Sequence, residues 1–329
     1  MTKKIRVAHY GISHDHSTST LETARQYPDI YEIVGVCEPN DAVRAEKGKA
    51  RAYDGIPWLT EDELLSRDDI DAVFCEGYEL ESVAQAQKCI DRGLHVHLDK
   101  PGGTDLAAFA KLLHDAEAKG LTLQMGYMFR YNPAMKYVLR RVREGALGTI
   151  TGIDATFCCL HDAAKRSWMG AFPGGNMFFL GCHSIDMILQ INGSPTSVTA
   201  FNRPSGFGSG AALDSAFAML DYPTGVCCVR ANATESSGYQ RRTLRVTGTE
   251  GVIEIRPLES PTVVREATRK HSMEVGWADS TDGVFPGFVP GRYDEMMLDF
   301  ARCVRGEKQN PYTYAYELEV QRVVLEACK

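Results

Sequence analysis

Between residues 5 and 125, short apolar runs alternate with stretches of helical periodicity, and this alternation constrains the fold more than any other feature of the chain. The runs Ile5-Arg6-Val7-Ala8-His9-Tyr10-Gly11, Glu32-Ile33-Val34-Gly35-Val36-Cys37-Glu38, Asp71-Ala72-Val73-Phe74-Cys75, Gly93 to Lys100 and Leu121-Thr122-Leu123-Gln124-Met125 predict strands. Residues 17–27, 61–66, 81–92 and 105–119 predict helices, the third of them ending at Gly93, which suits a position just past a helix end. Repeated strand–helix–strand units with short connections predict a doubly wound parallel sheet.

Beyond residue 126 the texture changes. Gly126-Tyr127-Met128-Phe129-Arg130-Tyr131-Asn132-Pro133 leads into a predicted helix over 134–144 and the turn Gly145-Ala146-Leu147-Gly148. Strand-like segments follow at 151–160, 197–201, 215–220, 225–231 and 243–246, and helices over 293–305 and 314–328 finish the chain. The expected fold class is therefore α/β, with a parallel-sheet domain over 1–125 and an α+β domain with a largely antiparallel open sheet over 126–329. Such a sheet must bury its uncovered face, which predicts a homodimer or homotetramer.

Composition narrows the partners. In 329 residues, 36 Lys and Arg face 43 Asp and Glu, a net charge of -7 with no basic run to track a phosphate backbone, so a nucleic-acid partner is not expected. Met1-Thr2-Lys3-Lys4-Ile5 enters a strand almost at once, leaving no room for a signal peptide, and no apolar run reaches membrane-spanning length. The ten cysteines include the adjacent pairs Cys158-Cys159 and Cys227-Cys228 and form no Cys-x-x-Cys pair. Buried thiols in a reducing cytoplasm are the expectation, without a structural zinc site.

Chemistry concentrates where strands end. The first strand runs into Gly11-Ile12-Ser13-His14-Asp15-His16 at the place of a G-x-G-x-x-G loop, keeping only its first glycine. Backbone N–H groups of Ile12, Ser13 and His14 at the helix start can still bind an anion. Glu38 lies 27 positions beyond Gly11, the region from which a carboxylate grips an adenosine ribose, and it favours NAD over NADP. His14-Asp15-His16 offers metal-ligand side chains, but neighbouring residues rarely converge on one ion. These side chains are expected to line the cofactor or substrate mouth, or to cap the helix through Asp15 or Ser17, with no metal site. Asp99-Lys100-Pro101 ends another apolar strand. Proline stops that strand and gives Lys100 a defined direction, either into solvent or toward a bound cofactor.

With Asp99 in place of a glutamate, this stretch resembles the Glu-Lys-Pro signature of the Gfo/Idh/MocA oxidoreductases, and the resemblance extends over nearly the whole chain. Gly126 to Ile150 is similar to that family's domain-joining stretch; Trp168, Gly174-Gly175 and Gly181-Cys182-His183-Ser184-Ile185-Asp186 are similar to its active-site helix. The resemblance implies a Rossmann domain holding a nicotinamide nucleotide and a second domain covering a carbohydrate or cyclitol substrate. It implies that Asp99 and Lys100 border the cofactor, that Lys100 touches the reacting hydroxyl, and that His183 is the general base. His161, Trp168, Asp186, Tyr239 and Arg130 fall at positions that would reach substrate. An imidazole suits proton transfer as a hydride leaves. The family's aspartate four residues before the histidine is Phe179 here, leaving Asp186 as a candidate partner for His183. Three functions follow for comparison: an NAD(P)-dependent dehydrogenase of CH–OH groups, a redox-neutral NAD-dependent glycoside-cleaving enzyme, and a non-catalytic nucleotide-dependent sensor.

Overall fold

The computed structural model describes residues 3–208, 210–259, 261–270, 281–287 and 291–329. Its described residues divide into two units, Met1–Met128 with Pro290–Gln321, and Phe129–Val289 with Arg322–Lys329. Residues 290–321, beyond the boundary expected near 126, are thus counted with the first unit.

The first unit is built on six strands, β1 (Ile5–Tyr10), β2 (Tyr31–Cys37), β3 (Trp58–Leu59), β4 (Ala72–Cys75), β5 (His95–Leu98) and β6 (Leu123–Met125). All pairs are parallel, in the order β3-β2-β1-β4-β5-β6. Every residue of β4 is buried, which is why it reads as an unbroken apolar run: helices cover both faces of a parallel sheet. The crossovers are α1 (Ser17–Arg25), α2 (Asp41–Lys47), α3 (Glu61–Ser66), α4 (Ser82–Asp91) and α5 (Leu106–Ala118). Asn40 caps α2 by accepting from Ala42 N and Val43 N, Thr60 and Glu63 form a capping box on α3, and Asp105 caps α5. Strand order reverses between β1 and β4. In sheets of this kind ligands bind outside the carboxyl ends of the strands at that reversal.

The second unit carries an eight-stranded sheet, β7 (Ile150–Thr156), β8 (Ser197–Ala200), β9 (Ser215–Tyr222), β10 (Gly225–Asn232), β11 (Thr243–Gly248), β12 (Gly251–Ile255), β13 (Thr262–Thr268) and β14 (Thr281–Phe285). The order is β14-β13-β12-β11-β7-β10-β9-β8, antiparallel except where β10 runs parallel to β7. Along β9 and β10 buried residues alternate with less buried ones, the period of a sheet packed on one face. Its helices include α6 (Pro133–Arg143), capped by Asn132, α7 (Ala163–Met169) and α8 (Cys182–Asn192), which continues a π-helical turn over Met177–Gly181.

Candidate active site

At the carboxyl edge of the first sheet, glycines set the loop geometry. Gly11 follows β1 with φ +81°, and a Cβ there would lie 2.3 Å from Gly77 Cα. Only glycine lets this loop lie against the one that follows β4. His14 N donates to Glu76 O at 3.0 Å and joins the two loops. Glu38, expected to grip an adenosine ribose, is buried just after β2, and its carboxylate accepts from Ile12 N at 2.8 Å and from Asn40 N at 2.9 Å. Lys47 Nζ donates to Ser13 O at 2.5 Å.

Two of the three donors expected at the helix start, Ile12 N and His14 N, are engaged within the chain. Ile12 N is taken by Glu38, His14 N by Glu76, His16 N by His14 Nδ1 at 3.1 Å and Ser17 N by His14 O at 3.2 Å. A correction concerns the cap. His16 occupies the N-cap position of α1 and no side chain caps the helix, while Ser17 Oγ bonds Ile12 O and the Tyr53 hydroxyl.

Lys100 ends β5 only 1 % exposed, so the strand does not simply finish in solvated charge. Its backbone N–H donates to Asp99 Oδ1 at 2.7 Å. Asp99 Oδ2 lies 3.0 Å from His16 Nδ1 and 3.1 Å from His14 Nδ1. Two positions apart in a tight turn, the His14 and His16 rings both face the carboxylate that follows β5. Glu76, directly after β4, places Oε2 3.7 Å from His14 Nδ1 and Oε1 3.7 Å from His97 Nε2. Glu79 Oε1 lies 3.6 Å from His14 Nε2. Burial, reinforced by the facing Asp99 carboxylate, pushes the Glu76 carboxyl well above the usual range. Burial likewise lowers His16 to about 4, against the attraction of Asp99. Glu76, Glu79 and His97 were not foreseen as site residues. For Glu76 the signal was present, since an acid directly after a wholly apolar strand is placed at real cost.

In the second unit, His183 is buried on α8, edge-on to Phe129 at 5.2 Å and tilted against Phe157 at 5.3 Å. The Arg242 guanidinium lies 3.9 Å over Phe157 and 4.5 Å over Tyr239. Arg242 and the Tyr239 hydroxyl both engage Glu259, at 3.0 and 2.6 Å. Neither Arg242 nor Glu259 carried any motif that would single it out. Asp186 accepts from Arg130 Nη2 at 2.8 Å, from Arg130 Nε at 3.1 Å and from Gln190 at 2.9 Å. Both its oxygens therefore serve Arg130 and Gln190. Phe179 lies in the π turn amid Trp168 at 5.6 Å, Phe172 stacked at 6.1 Å and His161 at 6.2 Å. Lys165 Nζ sits 3.7 Å over Trp168. Where the resemblance places an acid, this chain builds an aromatic cluster.

Comparison with known proteins agrees in both units. Residues 6–127 match the model described as "Oxidoreductase family, NAD-binding Rossmann fold", and residues 135–254 match the GFO/IDH/MocA C-terminal domain. A trans-1,2-dihydrobenzene-1,2-diol dehydrogenase of Mus musculus is 26% identical over 253 residues, 73% of this chain and 71% of that protein. A D-xylose 1-dehydrogenase (NADP(+)) of Haloferax volcanii is 26% identical over 257 residues, 73% of this chain and 75% of its own. The solved 3-ketoreductase of Actinomadura kijaniata, in complex with NADP and TDP-benzene, superposes with a TM-score of 0.79 at 19% identity, covering 98% of this chain and 96% of that one.

Proposed function

Since the chain belongs to the Gfo/Idh/MocA oxidoreductase family, we propose that it transfers a hydride between a secondary hydroxyl of a sugar, sugar derivative or cyclitol and a nicotinamide dinucleotide. The observation that carries this reading is Lys100, an amine buried at the carboxyl end of β5 on the edge where such sheets bind their ligands. The residues present fit the dinucleotide. The sheet order, the left-handed turn at Gly11 and the strand-end carboxylate of Glu38 suit its adenosine half, and Glu38 would repel the extra phosphate of NADP. When bound, the dinucleotide accepts or returns the hydride.

The chain's own side chains handle the proton. Lys100, a cation beside the reacting hydroxyl, lowers the free energy of the developing alkoxide, and His183 takes the proton. Trp168, half-buried and facing Lys165, supplies an aromatic face for a sugar ring. The relatives named for a sugar and for a diol support a CH–OH substrate class. The test is turnover of NAD and NADP with a panel of sugars and cyclitols by the parent, Lys100→Ala and His183→Asn. Loss of roughly 10²–10⁴-fold in kcat for each variant is expected. No turnover by the parent, with Lys100→Ala indistinguishable from it, would overturn the proposal.

The aromatic surroundings of Phe179 favour a second reading, in which hydride transfer is transient and a glycoside is cleaved without net redox change. Release of sugar without accumulation of reduced nicotinamide would select it.

A further inference from the structure

We propose that the first unit binds a divalent transition-metal ion of the zinc class through His14 Nδ1, His16 Nδ1, Asp99 Oδ2 and Glu76 Oε2. The site goes beyond the hydride-transfer reading and does not depend on it.

The first argument is buried polar atoms without partners. Glu76 and Glu79 are 0% and 1% exposed, yet no oxygen of either accepts a hydrogen bond, and His14 Nε2, on a residue 2% exposed, is also without one. Buried carboxyl groups persist when they are neutral, when they are paired or when they ligate a cation. Asp99 adds a third buried carboxyl group beside them.

The second argument is convergence. His14 Nδ1 and His16 Nδ1 approach the same Asp99 oxygen, to 3.1 and 3.0 Å. A metal ion on His14 Nδ1 would replace the 3.1 Å bond that this nitrogen accepts from His16 N.

Distances agree. Ligand atoms held roughly 2.0–2.1 Å from a tetrahedral zinc ion lie about 3.4 Å apart. The contacts of 3.0 Å (His16–Asp99), 3.1 Å (His14–Asp99) and 3.7 Å (His14–Glu76) bracket that spacing. One atom each from His14, His16 and Asp99 falls within 4.8 Å of the others.

An outer shell is in place as well. With Nδ1 on the metal, His14 turns Nε2 toward Glu79, the carboxylate–histidine–metal arrangement that fixes a ring and raises its basicity. Glu76 Oε1 faces His97 Nε2, and His97 Nδ1 is 2.9 Å from Gln124 Oε1. Asp99 Oδ1 is held by Lys100 N.

The experiment uses the full-length chain stripped with a chelator. Zn(II) is titrated by calorimetry and Co(II) by visible absorption, whose d–d bands report nitrogen and oxygen coordination independently of turnover. One equivalent per chain is expected, with Mg(II) failing to compete. Glu79→Gln, which removes an outer partner and no ligand, should weaken binding roughly 10–100-fold, and His16→Ala more. His114→Ala, on an exposed side chain, should change nothing. Circular dichroism on each variant reports folding, and the milder Glu79→Gln decides the matter if His16→Ala fails to fold. Absence of saturable binding by the parent, or affinity unchanged in folded His16→Ala or Glu79→Gln, overturns the site. Dinucleotide binding is followed separately by nicotinamide fluorescence, so loss of the metal and loss of the cofactor cannot be mistaken for each other.

Discussion

A methyl group on Gly11 meets Gly77 Cα at 2.3 Å on a backbone at φ +81°, whereas Gly55, at φ +74°, has nothing within 4 Å of the same atom. Gly11→Ala therefore adds a clash to the strain both share and should cost clearly more than Gly55→Ala, which should lose about 1 kcal/mol. Urea unfolding of the two variants checks this; equal losses would mean the loop after β4 yields freely. The Arg130–Asp186 pair makes a second case, since both partners are buried. Arg130→Ala leaves an uncompensated carboxylate and should cost about 3–5 kcal/mol, while Arg130→Met with Asp186→Leu should recover most of that loss. At this scale the sequence was informative where a residue ends an apolar run: Gly11, Glu38, Asp99 and Lys100 were legible for that reason. Arg242 and Glu259 were not, because a polar pair joined only by the fold has no local pattern.

Among the elements, the π turn over Met177–Gly181 is the least ordinary, a distortion that is frequent at functional sites. It seats Phe179 against Trp168 and Phe172 one turn before His183. Truncation by Phe179→Ala should cost about 3–5 kcal/mol, and Phe179→Asp, which restores the acid of the wider family, should cost at least as much because the carboxylate enters an aromatic cluster. Thermal melts compare them; a stable Phe179→Asp would show that a polar partner is already waiting there. Elements with a clear apolar stripe were legible, as α4 and α5 show. The short α2 was not, because none of its residues is buried and no stripe betrays it. Strand β13 escaped for a related reason: Glu266 takes a buried position in it and breaks the apolar alternation.

For the whole molecule, acid stability follows from His9, buried in β1 between the rings of Tyr53 and Phe74. Burial, helped by His97, lowers its pKa to about 3, below the usual value near 6.5. The unfolded chain thus binds a proton that the folded chain refuses, so stability is complete above about pH 6.5 and falls as pH drops toward 3. The loss over that window is on the order of 5 kcal/mol. His9→Leu should flatten this limb, measured as urea midpoints at neutral pH and near pH 4; an unchanged slope would assign acid unfolding to other groups. The doubly wound parallel sheet was legible because βαβ repeats admit few topologies. The mixed register of the second sheet was not, since the parallel β7–β10 pair joins segments far apart in sequence. Saturating dinucleotide, at about 100 times its Kd, should add about 2.7 kcal/mol and raise Tm accordingly. The most direct test of oxidoreductase function follows nicotinamide absorbance during turnover of a sugar and cyclitol panel by the parent and Lys100→Ala. Reduction of NAD by the parent, lost by at least about 100-fold in the variant, is the predicted result; no absorbance change with any substrate, or equal rates in both proteins, would contradict it.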